Sequence, residues 1–261
     1  MVKVLYIHSF GNDYRDKRII NELVKNDQIE LVVADYETVL WSLKKDHHKI
    51  DADCVINMHR NIELSKMLEE DGVKCFNTPS STLLATDKWN SYLKLNEINI
   101  PQPKTSLSQD FKAPFIYKDR YGSLGKNVFL IENNRKITNT NNSYIFQEYI
   151  EECCGESVRV FLINKQPIAW VLKRNTKDFK SNLAQGGKEE DFDLTSDVAE
   201  MCIKTAEHLN LDYCAIDLLM SKRGPLVLEV NSRAGLLGIE TYTKINIAKI
   251  FVDYIIDSIS L

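Results

Sequence analysis

The 261-residue chain lacks the features that would place it in a specialised class. Its cysteines, at 54, 75, 153, 154, 202 and 214, include no CxxC pair, and Cys54, Cys202 and Cys214 fall inside apolar segments. That pattern predicts reduced, buried thiols in a cytoplasmic protein, not a disulfide framework. No apolar run approaches the ~20 residues that span a bilayer, so no membrane partner is expected. With 33 basic and 37 acidic residues the net charge is −4, which excludes the basic balance of a general nucleic-acid binder. The start, MVKVLYIHS, has neither a long apolar core nor a small-residue cleavage site and reads as a strand. Internal repeats and low-complexity tracts are missing too. What is present is an ordinary globular composition, 44% apolar and 27% charged, long enough for two or three compact units.

The first ~80 residues alternate strand-like runs (3–9, 30–36, 53–59, 74–79) with polar, helically spaced ones (15–26, 37–48, 61–71), which predicts a small parallel α/β domain. Its first strand–helix turn, IHSFGND, has one glycine and no GxGxxG, so a dinucleotide site of the dehydrogenase kind is not expected. His8, Asn57, His59 and Arg60 stand at strand ends, where α/β domains place ligands. A helix capped by Ser80 or Ser81 precedes the breaker Ile100-Pro-Gln-Pro103. Short strands follow at about 114–118, 127–131, 144–146, 158–163 and 167–173, with a loop over 174–190. The last elements are a helix from Ser196, two strands and a helix over about 245–258.

Those two late strands carry the most chemistry. In CAIDLLMSKRGPLVLEVNSRAG a turn at Ser221–Gly224 sets Asp217 opposite Glu229, with Glu229 and Asn231 on one face and Leu226, Leu228 and Val230 on the other. Facing carboxylates ~5 Å apart repel, and the pairing makes sense if a hard, oxygen-loving cation such as Mg²⁺ lies between them. The alternative is a surface hairpin with solvated acids.

Upstream, the apolar strand Pro114–Lys118 runs into Gly122-Ser123-Leu124-Gly125-Lys126. A strand lysine beside a glycine loop suits a polyphosphate, although the GxxxxGK[ST] spacing is absent. Gln147-Glu148-Tyr149-Ile150 could offer a backbone edge to an adenine. Arg159, Lys173 and Arg174 recur at strand positions ahead of Phe179-Lys180-Ser181-Asn182-Leu-Ala-Gln-Gly-Gly187, where basic groups neutralise phosphate or carboxylate.

Taken in order, DK, IPxPxT, strand-Lys, GSxG, QEY, SxR, KR, FKSN-GG, D and ExN resemble the ATP-grasp superfamily, and within it the RimK-like carboxylate–amine ligases. The resemblance covers roughly Asn77 to the C-terminus. It implies a pre-ATP-grasp α/β domain over 1–80, a central lobe with Gly loop and adenine hinge over 81–150, and a C-terminal lobe with the metal site over 151–261. Antiparallel sheets are implied for the two lobes. It implies ATP and one or two Mg²⁺, with Mn²⁺ admissible, and amide formation through an acyl phosphate. ATP would meet Lys88, Lys118, Gly122, Ser123, Gly125, the hinge Gln147–Ile150, Lys180, Ser181 and Asn182, with Ser157 where the family places a ribose-binding acid. Asp217, Glu229 and Asn231 match the metal ligands, and Arg159, Arg174 and Arg233 are the catalytic candidates. The implied partners are small carboxylate and amine substrates, free amino acids, peptides or carrier-bound groups; a homo-oligomer is admitted.

Two departures mark the chain. Lys180 replaces an arginine, which loses the bidentate fork, and Arg233 replaces the proline of ExN-x-S-P-G. The second is shared with other ATP-grasp branches, so a dipeptide or D-alanine type ligase is the alternative enzyme. A non-catalytic ATP-binding regulator is the alternative outside enzymes.

Overall fold

A computed structural model describes residues 1–8, 13–46, 50–59, 61–123, 125–134, 136–137, 143–182 and 186–259. Arg60 and residues 183–185 of the glycine-ended motif lie outside them. The N-terminal alternation gives strands Val2–Ile7 (β1), Ile29–Ala34 (β2), Cys54–Asn57 (β3) and Lys74–Phe76 (β4), with helices Tyr14–Val24 (α1), Tyr36–Asp46 (α2) and Glu63–Glu70 (α3) between them. The strands are parallel in the order β2-β1-β3-β4. One sheet face packs Leu5, Ile7 and Val55 against Leu64 and Leu68 of α3.

Helices Pro79–Thr86 (α4) and Lys88–Asn96 (α5) replace the single helix expected there. Thr78, not Ser80 or Ser81, caps the first, its hydroxyl accepting the Ser81 amide. The break falls at Asp87, which accepts the amides of Trp89 and Asn90 and so caps the second. Its carboxylate also receives Arg120 in a two-pronged ion pair at 2.5 Å, which holds it out of the helix. Thr105–Ser106 (β5), Phe115–Asp119 (β6), Val128–Ile131 (β7) and Tyr144–Glu148 (β8) then form an antiparallel sheet ordered β5-β8-β6-β7. Alternation puts Phe115, Tyr117 and Phe146 into a small aromatic core and Ile116, Lys118, Ile145 and Gln147 on the opposite face.

The third sheet contains Glu156–Ile163 (β9), Gln166–Arg174 (β10), Lys188–Glu190 (β11), Tyr213–Ser221 (β12) and Gly224–Asn231 (β13) in the order β11-β10-β9-β12-β13. Strand β11 lies within the stretch read from sequence as loop. Helix Ser196–His208 (α6) covers one face through Val198, Cys202 and Ala206, against Val160, Leu162, Cys214 and Ile216. After Leu237–Thr243 (α7), the helix Ile247–Ile259 (α8) covers the other. There Phe161, Val171, Tyr213 and Ala215 meet Phe251 and Ile255 in a core that continues to Tyr6 and Ile56 of the parallel sheet. Each of the larger aliphatic and phenylalanine side chains contributes about 1.5–3 kcal/mol on burial, so this shared core ties the N-terminal layer to the strands that carry Asp217 and Glu229. All six cysteines are free, and only Cys154 is exposed. No helix among the described residues is long and apolar enough to cross a membrane.

Candidate active site

Ser221 pairs with Gly224, and Asp217 faces Glu229 in the register expected. One step further the alternation fails. Leu228 is an extra residue, a β-bulge between the pairs Asp217–Glu229 and Leu218–Val227. Leu226, Leu228 and Val230 therefore do not share a face. Val227 and Val230 enter the core under α6, Leu226 turns to Ile150 and Cys153, and Leu228 lines a cleft against the central sheet.

Cations of the chain itself surround Asp217. Arg159 donates from Nε and Nη2 to its two oxygens at 2.9 and 2.7 Å, and Lys173 Nζ lies 2.9 Å from Oδ1. Burial alone would raise the Asp217 carboxyl, but the Arg159 and Lys173 charges outweigh it and hold the group below the usual carboxylate range. Lys173 is 3% exposed and is itself held below the ordinary lysine value by burial and by the Arg159 charge. The facing acids are thus balanced internally, and their repulsion by itself does not call for a metal. Asn231 Nδ2 stands 3.4 Å from Asp217 Oδ2, and Glu229 lies 3.9 Å from Lys88 Nζ. Two carboxylates and an amide oxygen at neighbouring strand positions are a donor set that suits Mg²⁺. No group of three His, Cys, Asp or Glu comes together among the described residues.

The candidate Arg174 stands apart from Asp217. It is the register partner of Glu156 and pairs at the surface with Glu156 at 2.9 Å and Glu190 at 3.2 Å. Neighbouring strand residues point to opposite faces, so of Lys173 and Arg174 only the lysine reaches Asp217. The signal was parity: Lys173 pairs with Ser157, two residues from Arg159.

Across the cleft stands Lys118, 4% exposed. Among the described residues its amine has no hydrogen-bond or ion-pair partner. Burial pushes its pKa down to about 8, with Glu229 opposing the shift and Lys88 adding to it. The cleft is lined by Lys88, Tyr92, Thr105, Lys118, Gln147, Leu228 and Glu229 among others. Lys88 is placed by the glycine loop: its amide donates to Arg120 O at 3.2 Å and its Nζ to Gly122 O at 2.5 Å. At the expected hinge, Gln147 donates to Thr105 Oγ1 at 3.0 Å. Glu148 accepts the Lys104 amide at 3.1 Å and Arg223 at 2.5 Å. These two side chains brace the hinge, Ile150 is buried, and Tyr149 meets the Phe179 ring edge-on.

The glycine loop and the FKSN segment touch. A Cβ on Gly125 would stand 3.0 Å from Asn182 Oδ1. The Ser123 carbonyl accepts the Lys126 amide, and Lys180 Nζ lies over the Phe179 ring at 5.5 Å. Ser181 Oγ meets Ser157 Oγ at 2.5 Å. Two glycines hold this segment down. Gly155, at φ +73°, exchanges backbone bonds with Phe179 and Asn175, and a Cβ there would sit 2.1 Å from Asn175 O. At Gly187 a Cβ would sit 2.1 Å from Ser181 O. Gly155 gave no motif signal in the sequence.

Asn77 was likewise missed as a site residue. Its Oδ1 accepts the amides of Asp212 and Tyr213, and its Nδ2 donates to Tyr213 O and Ser232 O, all within 2.7–3.0 Å. One buried amide therefore ties the start of β12 to the end of β13. Arg15 donates to Arg233 O at 2.7 Å, Tyr213 Oη to Ala234 O at 2.7 Å, and Arg233 Nη1 to His59 O at 3.0 Å.

A family profile for the RimK-like ATP-grasp domain matches residues 85–255. The chain belongs to that family. Curated relatives agree: a probable alpha-L-glutamate ligase of Legionella pneumophila (strain Corby) is 33% identical over 208 residues, 72% of this chain and 68% of the relative. One of Haemophilus influenzae (strain ATCC 51907 / DSM 11121 / KW20 / Rd) is 33% identical over 205 residues with the same coverage. The fold is that of the ATP-grasp ligase PsnB, complexed with a phosphomimetic variant of minimal precursor, Mg and ADP (TM-score 0.73, 18% identity, 98% of both chains). It is equally that of D-alanine–D-alanine ligase from Bacillus anthracis (TM-score 0.73, 17% identity, 99% of this chain and 97% of that one). This RimK-like protein is a ligase that forms an amide bond with ATP, as the motif order implied, and the regulator reading falls.

Proposed function

We propose that the enzyme joins an acidic amino acid, L-glutamate or a near analogue, to the carboxylate of a peptide or small-molecule acceptor. The glutamate ligase relatives support the substrate class. The observation that carries the nucleotide site is Lys118, a buried amine facing Lys88 and Glu229 across the cleft. Such an amine suits a polyphosphate, whose charge would restore its proton affinity.

In this reading a carboxylate oxygen attacks the γ-phosphorus of ATP, ADP leaves, and an acyl phosphate forms. An amine then adds to the acyl carbon, and the tetrahedral adduct expels phosphate. Phosphoryl transfer needs positioning and charge neutralisation more than covalent help. Lys118 and Lys88 bind phosphate oxygens, and the hinge 147–150 positions the base. Gly122, Ser123 and Gly125, the last close to Lys180 and Asn182, cover the nucleotide together with Ser181 and exclude water. Ser157 stands where the ribose acid was expected. Asp217, Glu229 and Asn231 would hold Mg²⁺, which when bound supplies charge neutralisation to the phosphates. Arg159 and Lys173 orient Asp217, and Arg233 faces the substrate.

The test is ADP formation from Mg·ATP with single amino acids and short peptides, alongside D-alanine. Release that needs L-glutamate and an acceptor, and disappears in Glu229→Ala, supports the reading. Stimulation by D-alanine alone would move the enzyme to the other branch.

A further inference from the structure

The turn that enters the glycine loop is fastened to the first turn of α5. The Lys88 amide donates to Arg120 O at 3.2 Å, and Lys88 Nζ donates to Gly122 O at 2.5 Å. Beside them, Arg120 Nε and Nη2 donate to the two oxygens of Asp87, both at 2.5 Å. The loop root is itself a tight turn. Asp119 Oδ1 accepts the Tyr121 amide at 2.8 Å, and a Cβ on Gly122 would stand 2.9 Å from Asp119 Cβ. The Arg120 amide donates to Ser143 O at 2.8 Å, which anchors the same turn to the residue before β8.

The Asp87–Arg120 pair stands next to both lysines of the cleft. Asp87 immediately precedes Lys88, the first residue of α5, and Arg120 lies two residues beyond Lys118 on the chain leaving β6. Lys88 and Lys118 line one cleft, and the Lys88 charge disfavours the Lys118 proton. Like charges repel, and a lysine stem is flexible enough to let its ammonium retreat. Glu229 opposes this repulsion from 3.9 Å off Lys88 Nζ, but it is also a candidate metal ligand. The Asp87–Arg120 pair uses neither the cleft acid nor the cleft lysines. Its side chains are 4% and 14% exposed, out of reach of most screening. A forked carboxylate–guanidinium pair fixes direction as well as distance, so the segments it joins are held against sliding.

We propose that Asp87 and Arg120 are positioning residues for the nucleotide: their ion pair sets the spacing of Lys88 and Lys118, so that both amines meet the phosphates of one bound molecule. This rests on the assignment of the cleft to ATP given above. Asp87 then has a second task besides capping α5, and its charge carries that task. The two are separable, because asparagine also caps a helix N-terminus through its side-chain oxygen but offers no charge to Arg120.

The experiment is calorimetric titration of Mg·ADP into wild type, Lys88→Met, Lys118→Met, Asp87→Asn, Asp87→Asn/Lys88→Met and Asp87→Asn/Arg120→Met. Unfolding midpoints are measured alongside. The last variant leaves neither charge of the pair unpartnered, so it separates lost placement from lost fold. The expected result is Mg·ADP binding weakened about tenfold or more in Asp87→Asn and in Asp87→Asn/Arg120→Met, as in Lys88→Met. In Asp87→Asn/Lys88→Met the loss falls short of the product of the two single losses, because a positioning residue acts through the residue it places. Wild-type affinity in Asp87→Asn and Asp87→Asn/Arg120→Met, with weakened binding in Lys88→Met, overturns the positioning role and leaves the cleft assignment standing. Losses that multiply fully in Asp87→Asn/Lys88→Met, together with a lowered midpoint, also overturn it, since the pair would then only brace the fold. Unchanged Mg·ADP affinity in both Lys88→Met and Lys118→Met removes the cleft assignment itself, and the positioning role with it.

Discussion

Two buried lysines, one at a strand end in the central sheet and one at a strand end in the C-terminal sheet, are solved in opposite ways. Lys173 sits 2.9 Å from Asp217 and shares it with Arg159, so its buried ammonium has an acid partner within the protein, although burial still lowers its pKa. Lys118 is as deeply buried and has no such partner among the described residues. Burial disfavours its charged form and holds its pKa down to about 8, well under the ordinary lysine value. A fold gains nothing from an unpaired buried ammonium. The lesson is that the paired lysine belongs to the scaffold and the unpaired one to the ligand.

The comparison can be broken most directly at Lys118. Lys118→Met should lower ADP formation a hundredfold or more, about 3 kcal/mol in the transition state, while raising the unfolding midpoint at pH 7. The opposite sign is expected at its counterpart. Asp217→Asn leaves Arg159 and Lys173 without their acid and should destabilise the protein by about 3–5 kcal/mol in denaturant unfolding. Lys173→Met, which leaves Arg159 as the one cation on Asp217 among the described residues, should cost about 1–3 kcal/mol. Gly155→Ala should loosen the segment 175–182, adding about 1–2 kcal/mol of positive-φ strain to its backbone clash and speeding proteolysis there.

The pH dependence of Lys118 sharpens the contrast. Above about pH 8 the free enzyme loses this proton, so nucleotide affinity should fall by up to tenfold per pH unit. Between about 8 and 10.5 the unfolded chain still holds the proton that the folded one has lost, so this group's contribution to stability rises with pH over that window. The smallest effect belongs to Arg174→Gln, within twofold in turnover, because half-exposed surface pairs are worth ~0–1 kcal/mol.

Much of this was legible because motif residues sit where backbone period alone places them. The Asp217–Glu229 register follows from turn length, and Lys118 from its position ending an apolar strand. The misses share a cause, which is that they depend on contacts between distant segments. Leu228 bulges where the hairpin meets the cleft, and no local pattern encodes a single extra residue. Asp87 breaks a helix for the sake of Arg120, 33 residues away. Arg174 was singled out through the family resemblance, while strand parity is what brings Lys173 to Asp217. Asn77 and Gly155 act through backbone atoms of other segments, and neither is marked by its neighbours.

The most direct measurement is proton exchange on nucleotide binding. Mg·ADP titrations at pH 8.5, in buffers of different ionisation enthalpy, report how many protons the complex gains or loses. If Lys118 is the phosphate contact, wild type takes up a fraction of a proton as its depressed pKa recovers beside the phosphates, and Lys118→Arg takes up none. Binding with no proton uptake in wild type, or with the same uptake in Lys118→Arg, would contradict the assignment of this cleft to the nucleotide.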